Sequence, residues 1–331
     1  MEKTIREIAL EIKERLDPEG GIHSVLFVAC GGSMTAMFAA KYFMENESKD
    51  LRVGYYTSNE FLHCPPPWFG KNSVVVDEHK YYFSIFFRGC KRPNLSTNSV
   101  TAAKVITFRI FVTGSPITQF SDYSIPYEMG EEAIPQNKKP GTAFQLAVEL
   151  LNVSEGCLNY ESYLASYSTF NKIVHTMHES FSDRAQRMAE KFEAEPLIYM
   201  IGSGPSYGSA RQESICVFME MQWINSAVIH SGDFFHGPFE MTDEKNAFIV
   251  LVNDGKTREL DERVVRFLAK HNAKFEALDA KEYGIEEVPQ AVREYFNPLF
   301  LTEILHVFNI HLSKQRQHPM NIRRYMWKEE Y

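Results

Sequence analysis

The alternation of apolar and polar positions divides the chain into two similar halves. An amphipathic, charged helix is predicted near residues 3 to 16, and Gly20-Gly21 breaks it. Ser24-Val-Leu-Phe-Val-Ala-Cys30 then reads as a short buried strand running directly into Gly31-Gly32-Ser33. Met34 to Met44 continues as a helix with apolar residues at three and four spacing. The pattern returns after Pro196, with the apolar run Leu197-Ile-Tyr-Met-Ile201, the turn Gly202-Ser-Gly-Pro-Ser206 and a helix through Gln222. Each half carries further apolar runs: Val74-Val-Val76 and Lys104-Val-Ile-Thr-Phe108 in the first, Ala247 to Val252 and Lys274 to Leu278 in the second. Strands alternating with helical stretches predict doubly wound α/β layers with parallel sheets. Thr169 to Phe192 reads as the linking helix, and a boundary near residue 160 gives domains at 1–160 and 161–331.

Composition narrows the classes. The 331 residues, 44% hydrophobic and 24% charged, are ordinary globular usage, which excludes disorder as the main theme. The formal charge of -8 gives no general pull toward nucleic acid or an anionic membrane, so neither is an expected partner and an anionic substrate needs local help. The five cysteines (Cys30, Cys64, Cys90, Cys157, Cys216) form no C-x-x-C pair, which argues against a disulfide framework or a zinc site and fits a reducing cytoplasm. The first residues show no signal-peptide core and no run approaches the length of a membrane span, so a soluble cytoplasmic protein is expected.

Two side chains carry candidate proton-transfer chemistry. Glu220 lies between Phe218-Met219 and Met221-Gln222-Trp223, so large apolar neighbours flank it. Such surroundings disfavour a charged carboxylate and bring an acid toward working pH, as a general base or acid requires. The competing reading is a helix glutamate at the edge of the core, paired with a lysine or arginine. His236 precedes Gly237-Pro238, so the chain turns there and holds the imidazole at a loop or helix start, where it could open a sugar ring or shuttle a proton. A satisfied turn histidine is the alternative, and His230 reads as structural.

A glycine turn between strand and helix presents unpaired N–H groups and the positive helix end to an anion. Gly31, Gly32 and Ser33 are thus a candidate phosphate cradle, against the plain alternative of a tight turn packed with small residues. Cys30 reads as a small filler, with no histidine or cation adjacent. Asn253 to Glu259 make either a second anion turn or a helix start capped by Thr257. A dinucleotide site is disfavoured: the first turn lacks G-x-G-x-x-G spacing, and the second has Tyr207 where the third glycine should lie.

Val28-Ala-Cys-Gly-Gly-Ser33, Ile215 to Trp223, Ile229-His-Ser-Gly232, Phe235-His-Gly-Pro-Phe239 and the tail His318-Pro319 with Arg323-Arg-Tyr-Met-Trp-Lys328 together resemble the sugar isomerase (SIS) superfamily. Within it the chain is similar to the deglycases of phosphorylated Amadori products, which also resemble the isomerase half of glucosamine-6-phosphate synthase. The resemblance spans nearly the full length. It implies two tandem flavodoxin-like SIS domains, a phosphosugar held on Cys30, Gly31, Gly32 and Ser33, and a basic tail packed near the site. It also implies a catalytic glutamate at Glu220, a His-Gly-Pro histidine at His236 brought to it across a homodimer, and no metal or organic cofactor.

Two departures stand out. Asp233 occupies the place of a glutamate in the relatives' Ser-Gly-Glu-Phe stretch, outside the acid/base pair. After Val74-Val-Val76 the family carries a second phosphate loop of the type Ser-His-Lys-Gly-Asn-Thr-Pro-Glu, whereas this chain reads Asp77-Glu-His79-Lys80-Tyr81. The match stops at Lys80, leaving His79 and Lys80 as this loop's phosphate ligands, and resumes near Ala102. Tyr81 to Val100 lacks the amphipathic helix the architecture needs. The sharp edges of the mismatch fit a translated reading-frame error over codons 77 to 104 better than true divergence, and resequencing decides between them.

The resemblance implies hydrolysis of a 6-phosphorylated sugar–amino acid conjugate, such as fructoselysine, glucoselysine or fructose-aspartate 6-phosphate, to a hexose 6-phosphate and the free amino acid. The alternatives are an aldose-ketose phosphosugar or aminosugar isomerase using the same base, and a non-catalytic phosphosugar-binding protein.

Overall fold

The central apolar runs become strands because an all-parallel sheet is covered by helices on both faces, so its inner strands carry near-continuous apolar sequence. The computed structural model describes residues 3–70, 72–77, 105–112, 122–130 and 132–330, with 105–112 as backbone. His79, Lys80 and the mismatch from 78 to 104 lie outside the described residues. The chain clusters into two units, Met1–Glu161 and Ser162–Tyr331.

The first unit holds β1 (Ser24–Ala29), β2 (Arg52–Thr57), β3 (Ser73–Asp77), β4 (Val105–Val112) and β5 (Tyr123–Tyr127), paired in parallel in the order β2-β1-β3-β4-β5. This is the flavodoxin-like order, whose switch point lies where β1 passes between β2 and β3. Every residue of β1 is buried, whereas β2 is half-exposed. The helix expected over Met34 to Met44 is two helices instead, α2 (Gly31–Ala36) and α3 (Phe38–Glu47). The Thr35 hydroxyl donates back to the Gly32 carbonyl, and Met37 N–H donates to Met34 O, a tightened turn that ends α2.

The second unit repeats the arrangement with β6 (Leu197–Gly202), β7 (Asn225–His230), β8 (Ala247–Val252) and β9 (Lys274–Asp279), all parallel, ordered β7-β6-β8-β9. Ile201, Phe248, Val250 and Val252 meet Val264 and Leu268 in its core. The linking helix runs from Tyr160 to Phe192, nine residues earlier than Thr169, and buries Tyr163, Tyr167, Phe170, Val174, Met177, Phe181 and Met188 at three and four spacing. Among the described residues no helix is long and apolar enough to cross a membrane.

Candidate active site

In the first unit the glycine turn sits at the switch point, where ligands of open parallel sheets bind. Gly31 has φ +55°, a left-handed conformation that costs glycine nothing, and it is exposed. Cys30 precedes α2 without capping it and is half-buried. Lys139, the first residue of a helix over Lys139–Glu155, brings Nζ to 3.5 Å from Ser33 Oγ and stacks over the Tyr127 ring at 5.0 Å. An ammonium beside the cradle is the local help an anion needs on an acidic chain. The sequence reading missed it, although Lys138-Lys139 before Pro140 at a helix start was its signal.

Glu220 stands in the second unit. After a short α-helix over Tyr207–Gln212, residues Glu213–Gln222 wind as a π-helix, with the i to i+5 bonding that concentrates at functional sites. The helix ends where Trp223 N–H and Ile224 N–H both donate to Phe218 O, which puts Trp223 in the left-handed region at φ 56° and ψ 34°. Of the apolar neighbours expected around Glu220, Met219, Trp223 and Ile224 share its groove, and the arginine partner of the competing reading is present as well. Phe218 turns inward and is buried, Met219 is exposed, and Glu220 faces the C-terminal tail with its side chain 25% exposed. There Arg323 Nε and Nη2 both contact Glu220 Oε1, at 2.9 and 2.8 Å. Arg323 itself is buried, with Nη1 donating to the carbonyls of Met320 and Ile322 at 2.7 and 2.9 Å. The tail is anchored in turn by Gln222 Nε2, which donates to His318 O at 2.9 Å, and by Arg316, which donates to the carbonyls of Glu193 and Gln222. The carboxyl group is therefore held by Arg323 through one oxygen, at the edge of a groove of about 600 Å3.

His236 ends a short turn over Phe234–His236 and is exposed. Phe234 is fully buried against Phe248 and Phe267, and Phe235 packs on Phe239 under the Arg263 guanidinium, so an aromatic cluster pins the loop. Gly237 then takes φ +135°, which only glycine adopts without strain, and Pro238 opens the next turn. His230 has a turn role, its Nδ1 accepting from Gly232 N–H at 3.0 Å.

The second glycine turn is closed by its own chain. A side chain at Gly204 would collide with Thr257, and Ser203 Oγ donates to Thr257 O. Thr257 stands at the N-cap position of the helix Arg258–Lys270, one of the two readings of this stretch, but its hydroxyl accepts from Asn253 Nδ2 at 3.0 Å and makes no capping bond. The anion served by the loops here is Asp261, which is fully buried and accepts from Ser231 Oγ, Asn253 N–H and Asn253 Nδ2.

No protein-family model matches the chain. Fructosamine deglycase FrlB of Bacillus subtilis (strain 168) is 35% identical over 317 residues, 94% of this chain and 93% of the relative. The chain belongs to the fructosamine deglycases of the SIS superfamily. The fructoselysine 6-phosphate deglycase of Escherichia coli (strain K12) matches at 24% identity over 92% of this chain and 85% of its own length. Among solved structures, one from Salmonella typhimurium LT2 described as a phosphosugar isomerase superposes with a TM-score of 0.91 at 38% identity, covering both chains completely. The C-terminal domain of the glucosamine-fructose-6-phosphate aminotransferase of Francisella tularensis shares the fold, with a TM-score of 0.74 at 16% identity over 96% of this chain and 90% of that one.

In this deglycase-family chain the fold brings Gly31, Gly32 and Ser33 together with Lys139, and Glu220 together with Arg323. His236 does not line the groove that holds Glu220.

Proposed function

We propose that the protein is a deglycase acting on an amino acid joined to a 6-phosphorylated hexose. The observation that carries this is the Glu220 carboxylate, held by Arg323 through Oε1 at the edge of an open groove, in a chain whose relatives carry deglycase names. The Gly31 to Ser33 turn, with Lys139, holds the phosphate. His236 assists opening of the sugar ring, contributed from a partner protomer of a homodimer, which accords with its exposed place outside the Glu220 groove. Glu220 removes a proton from C1 of the open-chain ketoamine and returns it at C2. The C2 carbonyl becomes a hydroxyl and the C1–N bond becomes an imine. Water adds to C1 and the amine leaves, giving hexose 6-phosphate and the free amino acid, a net hydrolysis.

The same base can isomerise a phosphosugar that carries no amino acid, and the isomerase description of the Salmonella structure keeps that reading alongside. Incubating purified protein with a panel of glycated amino-acid 6-phosphates and free hexose phosphates separates them. Stoichiometric release of amino acid and hexose 6-phosphate is expected. Interconversion of hexose phosphates with no amino acid released would establish the isomerase.

A further inference from the structure

The groove beside Glu220 is walled by Met219, Trp223, Asn225, Arg324 and Tyr325. None of these is needed to move a proton between C1 and C2, yet two are held in an unusual arrangement. Trp223 takes the left-handed conformation, φ 56°, that closes the π-helix, and this cap fixes where its indole projects. Its indole stays 37% exposed, braced at one edge by His318 at a centroid distance of 4.4 Å. The Arg324 guanidinium lies over its ring, 4.1 Å from the centroid. Whereas Arg323 is consumed by Glu220, Arg324 is exposed and has no carboxylate partner among the described residues, in a chain of net charge -8. A guanidinium stacked on an indole has its plane fixed and its N–H edge turned outward, the form that takes a carboxylate with two parallel hydrogen bonds.

The position fixes which part of a substrate would meet it. If Glu220 works at C1 and C2, the nitrogen on C1 and its substituent lie beside the base, while the phosphate on C6 is at the other end of the hexose. We propose that Trp223 and Arg324 form the subsite for the amino-acid half of the substrate, with Arg324 binding its carboxylate and Trp223 serving as the platform. The inference rests on the deglycase reading of Glu220 and adds the element that separates a glycated amino acid from a glycated amine.

The test pairs two substrates with two proteins. The 6-phosphorylated fructose conjugates of valine, joined through its α-nitrogen, and of isobutylamine differ only in the carboxylate. The wild type is expected to favour the valine conjugate by roughly tenfold or more in kcat/KM, the size of one charge-assisted contact. Arg324→Met should lose at least roughly tenfold more on the valine conjugate than on the isobutylamine conjugate, mainly through KM, and Arg324→Lys should restore part of the loss. Equal losses on the two substrates, or a wild type indifferent to the carboxylate, would overturn the proposal. The wild-type comparison stands even if the variant fails to fold. Calorimetric binding of both conjugates to Glu220→Gln reads the same preference without chemistry, so a failed clamp is distinguishable from a failed deglycase.

Discussion

Arg323 holds Glu220 through one oxygen, and in the proposed mechanism it positions that base. Removing it frees the carboxylate to rotate without removing the groove. Arg323→Met is therefore predicted to lower kcat by roughly tenfold to a hundredfold with KM changed much less, and added guanidinium ion should recover activity where equal sodium chloride does not. A matched loss in KM with no recovery would make Arg323 a tail anchor only. Glu213 gives a prediction about stability. It is fully buried at the start of the π-helix, accepts from Asn309 Nδ2 through Oε2 and has no partner at Oε1 among the described residues. Burial pushes its carboxyl from the ordinary 4.5 up to about 8. Between those values the folded protein keeps a proton that the unfolded chain has released, so stability falls as pH rises from about 5 to 8 and levels off above. Glu213→Gln carries no such proton, so urea unfolding across that range should show the variant gaining on the wild type as pH rises. Parallel curves would contradict it.

Among the elements, those around the site are held by buried polar knots as much as by apolar packing. Asp261 ties the loops after β7 and β8 together through Ser231 and Asn253. Asp261→Ala leaves those buried donors unsatisfied and is predicted to cost about 3 kcal/mol of unfolding free energy, measured by urea titration. A cost near zero would mean that the loops are held by their apolar contacts. The same elements show what could be read from the chain. β1, β3 and β8 were legible because they are buried on both faces around apolar runs, and β6 because its run is apolar although Leu197 and Tyr199 are half-buried, whereas β2, half-exposed at a sheet edge, leaves no such run. The π-winding of Glu213–Gln222 was not legible, since ten apolar-rich residues cannot separate a period of 3.6 from a longer one. Glu220 and His236 stood out in the sequence as candidates by residue type and context. The partner of Glu220 lies a hundred residues downstream, in a tail that periodicity does not place, and only the resemblance pointed there.

For the whole molecule, the proposed site takes its His236 from a second copy. Mixing two inactive variants tests this. Glu220→Gln and His236→Asn, unfolded and refolded together, should form heterodimers with one intact site of two and recover about a quarter of wild-type activity. No recovery from verified heterodimers would place both groups in one protomer or dismiss the pair. Although the two halves repeat, only the first glycine turn is proposed to take phosphate. The first is open with Lys139 beside it, while Thr257 and Asp261 fill the second. The central claim is that Glu220 moves the proton which labilises the C–N bond. Its most direct test is amino acid release from a fructosyl amino acid 6-phosphate by wild type and by Glu220→Gln, with binding followed in parallel. The variant is expected to bind the conjugate and release no amino acid; wild-type turnover by Glu220→Gln would remove Glu220 from the proton transfer.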